Sequence, residues 1–123
     1  YESLEPVCTR EEIRSAQEES QRTYVHPELK QYLAKLSAAT RKDRDVLAGV
    51  SPRGTLSLFR AVRAYAWLMG REYAVPEDVK TLAVPVLAHR LILSGGGDTG
   101  EERRVMEEIL SRVEVPVETW EGR

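Results

Sequence analysis

Ser51, Pro52 and Arg53 are the residues of this chain whose types and spacing could do chemistry. Serine is a strong helix N-cap, and proline suits the first helical position because it has no N–H to leave unpaired. Arg53 then falls in the first turn, where the helix end already carries about half a positive charge. Free backbone N–H groups point the same way. An anion such as phosphate, faced by both the helix end and the guanidinium, removes the conflict. An arginine reaching back into water removes it too, since dipole effects on exposed groups are worth only ~0.3–1 kcal/mol. At 100° per residue Arg60 lies about 20° from Arg53 and Arg63 about 80° away, so the three share one side of the helix. Arg63 reads as part of a solvated face. Arg60 reads as a contact to another domain or subunit.

The other candidates are weaker. His89 has no Cys, His or acid partner at metal spacing, so it reads as a structural or interface histidine, and no metal site is expected. Gly95, Gly96 and Gly97 are followed by Asp98-Thr99-Gly100 rather than Lys-Ser/Thr, which makes a flexible loop and not a phosphate loop. No Gly-x-x-x-x-Gly-Lys-Ser/Thr occurs anywhere, and no apolar run ends in two carboxylates.

The composition is that of a soluble globular domain: 123 residues, 41% hydrophobic, 31% charged, net charge −2. One core can form, burying roughly two-thirds of the unfolded surface. The single cysteine, Cys8, excludes an internal disulfide and fits a reducing cytoplasm. No signal peptide and no apolar stretch of membrane length is visible. The basic residues are 14 Arg and 4 Lys, and the acids outnumber them, which argues against a nucleic-acid surface.

The elements that must position Arg53 read as helices. Residues 1–8 look like a linker. Thr9 with Glu12 forms a capping box for a peripheral helix to about Arg22, with Ile13 and Ala16 as its thin apolar face and Glu18–Arg22 as a charge pair. Leu29, Tyr32, Leu33 and Leu36 mark a second amphipathic helix from Pro27 to about Arg41. Residues 41–50 read as a charged loop. The third helix, Pro52 to about Met69, is apolar nearly all round, which places it at the centre of a bundle. Gly70 suits a left-handed cap. Tyr73-Ala74-Val75 could pair with Tyr24-Val25 as a tiny ribbon. Pro76, Glu77 and Asp78 open a fourth helix, with Val79, Leu82, Ala83, Val86 and Leu87 inward, a kink at Pro85 and His89-Arg90 at its end. Thr99 is positioned to cap a last helix, Glu101 to Arg112, with Val105, Met106, Ile109 and Leu110 inward. Residues 113–117 alternate like an edge strand containing Pro116. Trp120 is either anchored on a partner or exposed. The expected fold is an all-α bundle of four or five helices: residues 1–8 linker, 9–112 helical domain, 113–123 tail.

Residues 49–91 resemble the C-terminal helical lid of AAA+ ATPases of the MoxR class. The matching segments are Gly-Val-Ser-Pro-Arg at 49–53, Gly-Arg-Glu-Tyr at 70–73, Val-Pro-Glu-Asp-Val-Lys at 75–80 and Val-Leu-Ala-His-Arg-Leu at 86–91. Leu4-Glu5-Pro6-Val7 and Tyr24-Val25 also look like family positions. The resemblance implies that Arg53 is the second-sensor arginine, with a catalytic role at the γ-phosphate of ATP held on a core domain. Ser51 and Arg53 become the expected cofactor-binding positions. It also implies Mg-ATP on a core absent from this chain, a lid that couples ATP state to remodelling of other proteins, a hexameric ring of neighbouring subunits, and von Willebrand factor A-type partners. The chain by itself is expected not to hydrolyse ATP.

Two other function classes compete. A helical nucleic-acid module needs a concentrated basic surface, which net charge −2 does not offer. A helical protein-interaction module would leave Arg53 as a plain surface residue.

Overall fold

The computed structural model describes residues 3–95 and 100–117. Among these residues five α-helices, one 3-10 turn and a two-stranded sheet follow in chain order. Helix α1 (Arg10–Ser20) begins at the expected capping box, the Thr9 hydroxyl accepting from the Glu12 N–H and the Glu12 carboxylate accepting from the Thr9 N–H. It buries none of its residues, and Ile13 is half exposed. The thin apolar face therefore does make a peripheral helix. The Glu18–Arg22 pair does not form. Instead α1 is held from α3: the Trp67 indole donates to Glu19 at 3.2 Å and Arg63 donates to the Gln21 carbonyl at 2.8 Å.

Helix α2 (Pro27–Lys42) buries the predicted stripe Leu29, Tyr32, Leu33 and Leu36 and adds Ser37 and Thr40. Strand β1 (Val46–Ala48) follows, where the sequence reads as a charged loop. It pairs antiparallel with β2 (Ile92–Leu93) through Val46↔Leu93 and Ala48↔Ile92. The signal was too short to find: three residues carry only one buried side chain, Val46. The anticipated partnering of Tyr24 and Tyr73 exists as one parallel bridge, with the Tyr24 N–H donating to Glu72 and the Ala74 N–H to Tyr24, both at 2.9 Å.

Helix α3 (Pro52–Leu68) packs chiefly on α4 (Pro76–Leu87) and also meets α1 and α2. Its Leu58, Val62 and Ala66 are fully buried, but Leu56, Leu68 and Met69 are exposed. The helix is therefore not enclosed all round, because nothing among the described residues covers its Leu56 face or its C-terminal end. Gly70 has φ +79°, the left-handed conformation that ends α3 at little cost only for glycine.

Helix α4 runs through Pro85 to Leu87 and tightens into the 3-10 turn Ala88–Arg90. Proline's missing N–H falls near the end of the helix, where the ladder is already changing. Helix α5 (Glu101–Arg112) has the expected bounds and buries Val105, Met106 and Ile109. The expected Thr99 cap and Trp120 lie outside the described residues. Residues 113–117 form no strand, since Val113 and Val115 pack on the core without a neighbouring edge. The fold is thus an all-α bundle with a small two-stranded sheet. No helix among the described residues is long and apolar enough to cross a membrane.

Candidate functional site

Arg53 is the second residue of α3, exposed, and makes no hydrogen bond or ion pair with the described residues. The Ser51 hydroxyl accepts from the Gly54 N–H at 3.2 Å, and the Ser51 carbonyl accepts from the Thr55 N–H at 3.0 Å. Pro52 has no N–H. The free donors anticipated at this helix end therefore reduce to one, the Arg53 N–H. What the site offers outward is a guanidinium and a single amide, both aimed from the positive end of a helix.

The loop that carries these groups is clamped to the C-terminal end of α2. Val50 is fully buried. Its N–H donates to the Thr40 hydroxyl at 2.9 Å, and its carbonyl accepts from Arg41 at 2.6 Å. The Thr40 hydroxyl donates in turn to the Ser37 carbonyl at 2.6 Å. Both backbone groups of Val50 are satisfied by α2, as a buried peptide unit requires. Gly49 lies against the Arg41 backbone so closely that an added Cβ would sit 2.7 Å from the Arg41 nitrogen. One turn further on, the hydroxyls of Ser37 and Thr55 meet at 2.6 Å. Sequence reasoning missed Thr40 and Arg41. Thr40 carried one usable signal, a polar residue one turn beyond the apolar stripe of α2.

The other side of the α3 start faces the 3-10 turn. Arg90 donates to the Val86 carbonyl at 3.1 Å and more distantly to the Ser57 hydroxyl at 3.4 Å. A Cβ on Gly54 would lie 2.8 Å from Val50 and 3.1 Å from Arg90, so glycine is what lets these side chains reach the helix. Among the described residues Arg53 is thus an unpaired cation on a start that is fixed from both flanks.

The remaining charged residues divide between structure and surface. Arg71 grips Asp78 through two bonds of 2.8 and 2.6 Å, and Asp78 also accepts from the Val75 N–H at 2.9 Å. Asp78 is buried, so these bonds replace its hydration. The hydrogen bond it donates to Asp78 holds the Arg71 guanidinium above its ordinary pKa, against burial acting in the opposite sense. The pair fixes the α3–α4 turn. Arg63 is not solvated as its spacing suggested. Its guanidinium lies 4.5 Å from the centre of the Phe59 ring and reaches α1. Arg60 and His89 are exposed.

Comparison with known proteins adds a family to this geometry. The model of the AAA lid domain matches residues 38–111. The uncharacterized protein YeaC of Bacillus subtilis is 36% identical over 119 residues, covering 95% of this chain and 37% of YeaC. Protein MoxR of Paracoccus denitrificans is 41% identical over 85 residues, 58% of this chain and 25% of that protein. Chaperone MoxR1 of Mycobacterium tuberculosis is 36% identical over 87 residues, 63% and 23% respectively. A crystal structure from Cytophaga hutchinsonii, of a protein provisionally assigned as an ATPase, superposes with a TM-score of 0.72 at 30% identity over 86% of this chain and 34% of its own. The chain spans less than two-fifths of the length of each of these proteins. With the matched span covering Thr40, Arg41, Ser51, Arg53 and Arg90, the chain belongs to the AAA lid domain family and is the C-terminal lid of a MoxR-class AAA+ ATPase.

Proposed function

We propose that this lid senses ATP on its ATPase core through Arg53 and passes the nucleotide state to the angle between lid and core. The observation that carries the reading is an exposed, unpaired arginine on a helix start that α2 and Arg90 hold rigid. The guanidinium and the Arg53 N–H suit a phosphate oxygen, and Ser51 contributes by capping the helix that presents them. Mg-ATP, bound on the core, supplies the phosphoanhydride whose hydrolysis drives the cycle. Arg53 supplies positive charge where negative charge develops, and Thr40 and Arg41 keep it in place. Because the helix start is clamped to α2, a pull on Arg53 moves the bundle as a body rather than bending one loop.

The rest of the reading concerns the whole protein: a ring of six subunits, each lid touching its own core and a neighbour, working in the cytoplasm as a chaperone-like remodeller of von Willebrand factor A-type partners. The chaperone name of the mycobacterial relative supports the remodelling part. The lid alone, with no phosphate loop in its sequence, is read as inactive toward ATP. The test is steady-state turnover of a full-length MoxR-type protein carrying this lid. Arg53→Ala is expected to lower turnover about a hundredfold, and Arg53→Lys to restore only part of it, since a point charge replaces a planar fork. Unchanged turnover in Arg53→Ala overturns the reading.

A further inference from the structure

We propose that α1 is a releasable strap: it docks on α3 through a latch made by Arg63 and Trp67, and lets go as a unit while α2 to α5 stay folded. The charges of α1 carry the argument. Its last turn holds Glu18 and Glu19 and no base. Carboxylates at the negative end of a helix disfavour it, and a cation there favours it. The missing cation comes from another element. The Arg63 guanidinium of α3 donates at 2.8 Å to the carbonyl of Gln21, the C-cap of α1. One turn further along α3, the Trp67 indole donates to the Glu19 carboxylate at 3.2 Å. The C-terminal end of α1 is therefore satisfied only while it is docked. An 11-residue helix is marginal on its own in water, so undocking and loss of helix are one event.

Little else holds the strap. None of its residues is buried, and only Ala16 and Ser20 are half-buried. Both polar links lie at its C-terminal end, while the Thr9–Glu12 capping box satisfies its N-terminus without help from the bundle. Beside the latch, a cavity of about 310 Å³ lined in part by Glu19, Arg22, Trp67 and Arg71 takes the place of side-chain packing. Arg63 is itself incompletely satisfied when docked, since its Nε is buried with no partner among the described residues. Its contact with the Phe59 ring lies within α3 and survives release. The pivot is sharp, because the chain is pinned directly after it. Thr23 and Val25 are buried, and the Tyr24 backbone is bonded to Glu72 and Ala74. Release converts 11 residues from about 16 Å of helix to as much as about 36 Å of extended chain. The strap thus sets the reach between the residues before Thr9 and the bundle. These contacts are internal to the chain, and the inference does not depend on Arg53.

The test is amide hydrogen exchange of the 123-residue chain, whose other helices bury a shared core, read by NMR so that each helix reports separately. After correction for intrinsic rates, amides of residues 14–20 are expected to exchange at least about a hundredfold faster than the core amides of α2 and α3. That difference marks release below global unfolding. Arg63→Met keeps the stem on Phe59 and removes the cation. It should lower the protection of residues 14–20 about fivefold or more and leave α2, α4 and α5 unchanged. Glu18 is exposed, and Glu18→Lys gives the strap a base of its own. It should raise the same protection about threefold or more, in the wild type and in the Arg63→Met background alike. Equal protection of α1 and α3, no change at α1 in Arg63→Met, a loss spread over every helix in that variant, or no response of α1 to Glu18→Lys would each overturn the proposal.

Discussion

Arg53 and Thr40 show how differently a free side chain and a buried one answer to substitution. Arg53 packs nothing and pairs with nothing among the described residues. Arg53→Ala is expected to move stability by less than about 0.5 kcal/mol, and upward if at all, because a cation leaves the positive end of α3. Thr40 is fully buried and accepts from the Val50 N–H. Thr40→Val keeps the shape and removes the acceptor, so it should cost about 1–3 kcal/mol, measured by urea unfolding. In the full-length protein it should also lower turnover, by loosening the loop under Arg53. Arg53 could be found from sequence because a cation beside a Ser-Pro helix start is a local anomaly. Thr40 left only the trace of a polar residue beyond the apolar stripe and Arg41 none, because their partner Val50 is about ten residues away and the contact exists only once the loop has folded back on α2. One free donor remains at this helix end among the described residues, because the serine cap takes one N–H and proline has none.

Among the elements, the long periodic helices were legible and the joints only in part: the Gly70 cap and the Tyr24–Tyr73 pairing were expected, the β1–β2 pairing and the Arg71–Asp78 clamp were not. The spacing of Leu29, Tyr32, Leu33 and Leu36 located α2, and the capping signals at Thr9, Ser51 and Pro76 located three helix starts within a residue. Strand β1 was hidden because its pairing with β2 joins residues some 45 positions apart and uses a single buried side chain. The α3–α4 turn depends on Arg71 and Asp78, seven residues apart. Asp78 was visible only as a helix-dipole residue. Asp78→Ala leaves the half-buried Arg71 and the Val75 N–H without their acceptor, and should cost about 3 kcal/mol in thermal or urea unfolding. Gly70→Ala tests the other half of the same turn. With φ +79° and no atom within 4 Å of the added Cβ, the cost should be the conformational one alone, about 1–2 kcal/mol. A loss near 3 kcal/mol there would mean that the turn is more crowded than its geometry indicates.

Across the whole molecule, the ion pair of Arg112 with Asp43 ties the end of α5 to the end of α2. Burial alone would raise the Asp43 carboxyl, but the Asp45 N–H, the Arg112 guanidinium and Arg44 together hold it below its ordinary 3.8. A carboxyl lowered by folding stabilises above its unfolded pKa, and that contribution disappears as pH falls through the folded one. The stability gap between the wild type and Arg112→Ala should therefore be present at pH 5, about 0.5–1 kcal/mol given the exposed arginine, and shrink below pH 3.8. A gap that stays constant with pH would assign Arg112 to packing instead. At this scale the all-helical class was readable from periodicity, and lid membership from the order of four short segments. The exposed Leu56 face was not, because an apolar helix reads the same whether neighbours cover all of it or most of it. The central claim, that Arg53 reads the terminal phosphate, is tested most directly by nucleotide affinity in a full-length protein carrying this lid. ATP and ADP dissociation constants are measured for wild type and Arg53→Ala under conditions that prevent turnover. The account predicts that Arg53→Ala weakens ATP about tenfold or more and leaves ADP nearly unchanged. Equal effects on both nucleotides, or none on either, would contradict it.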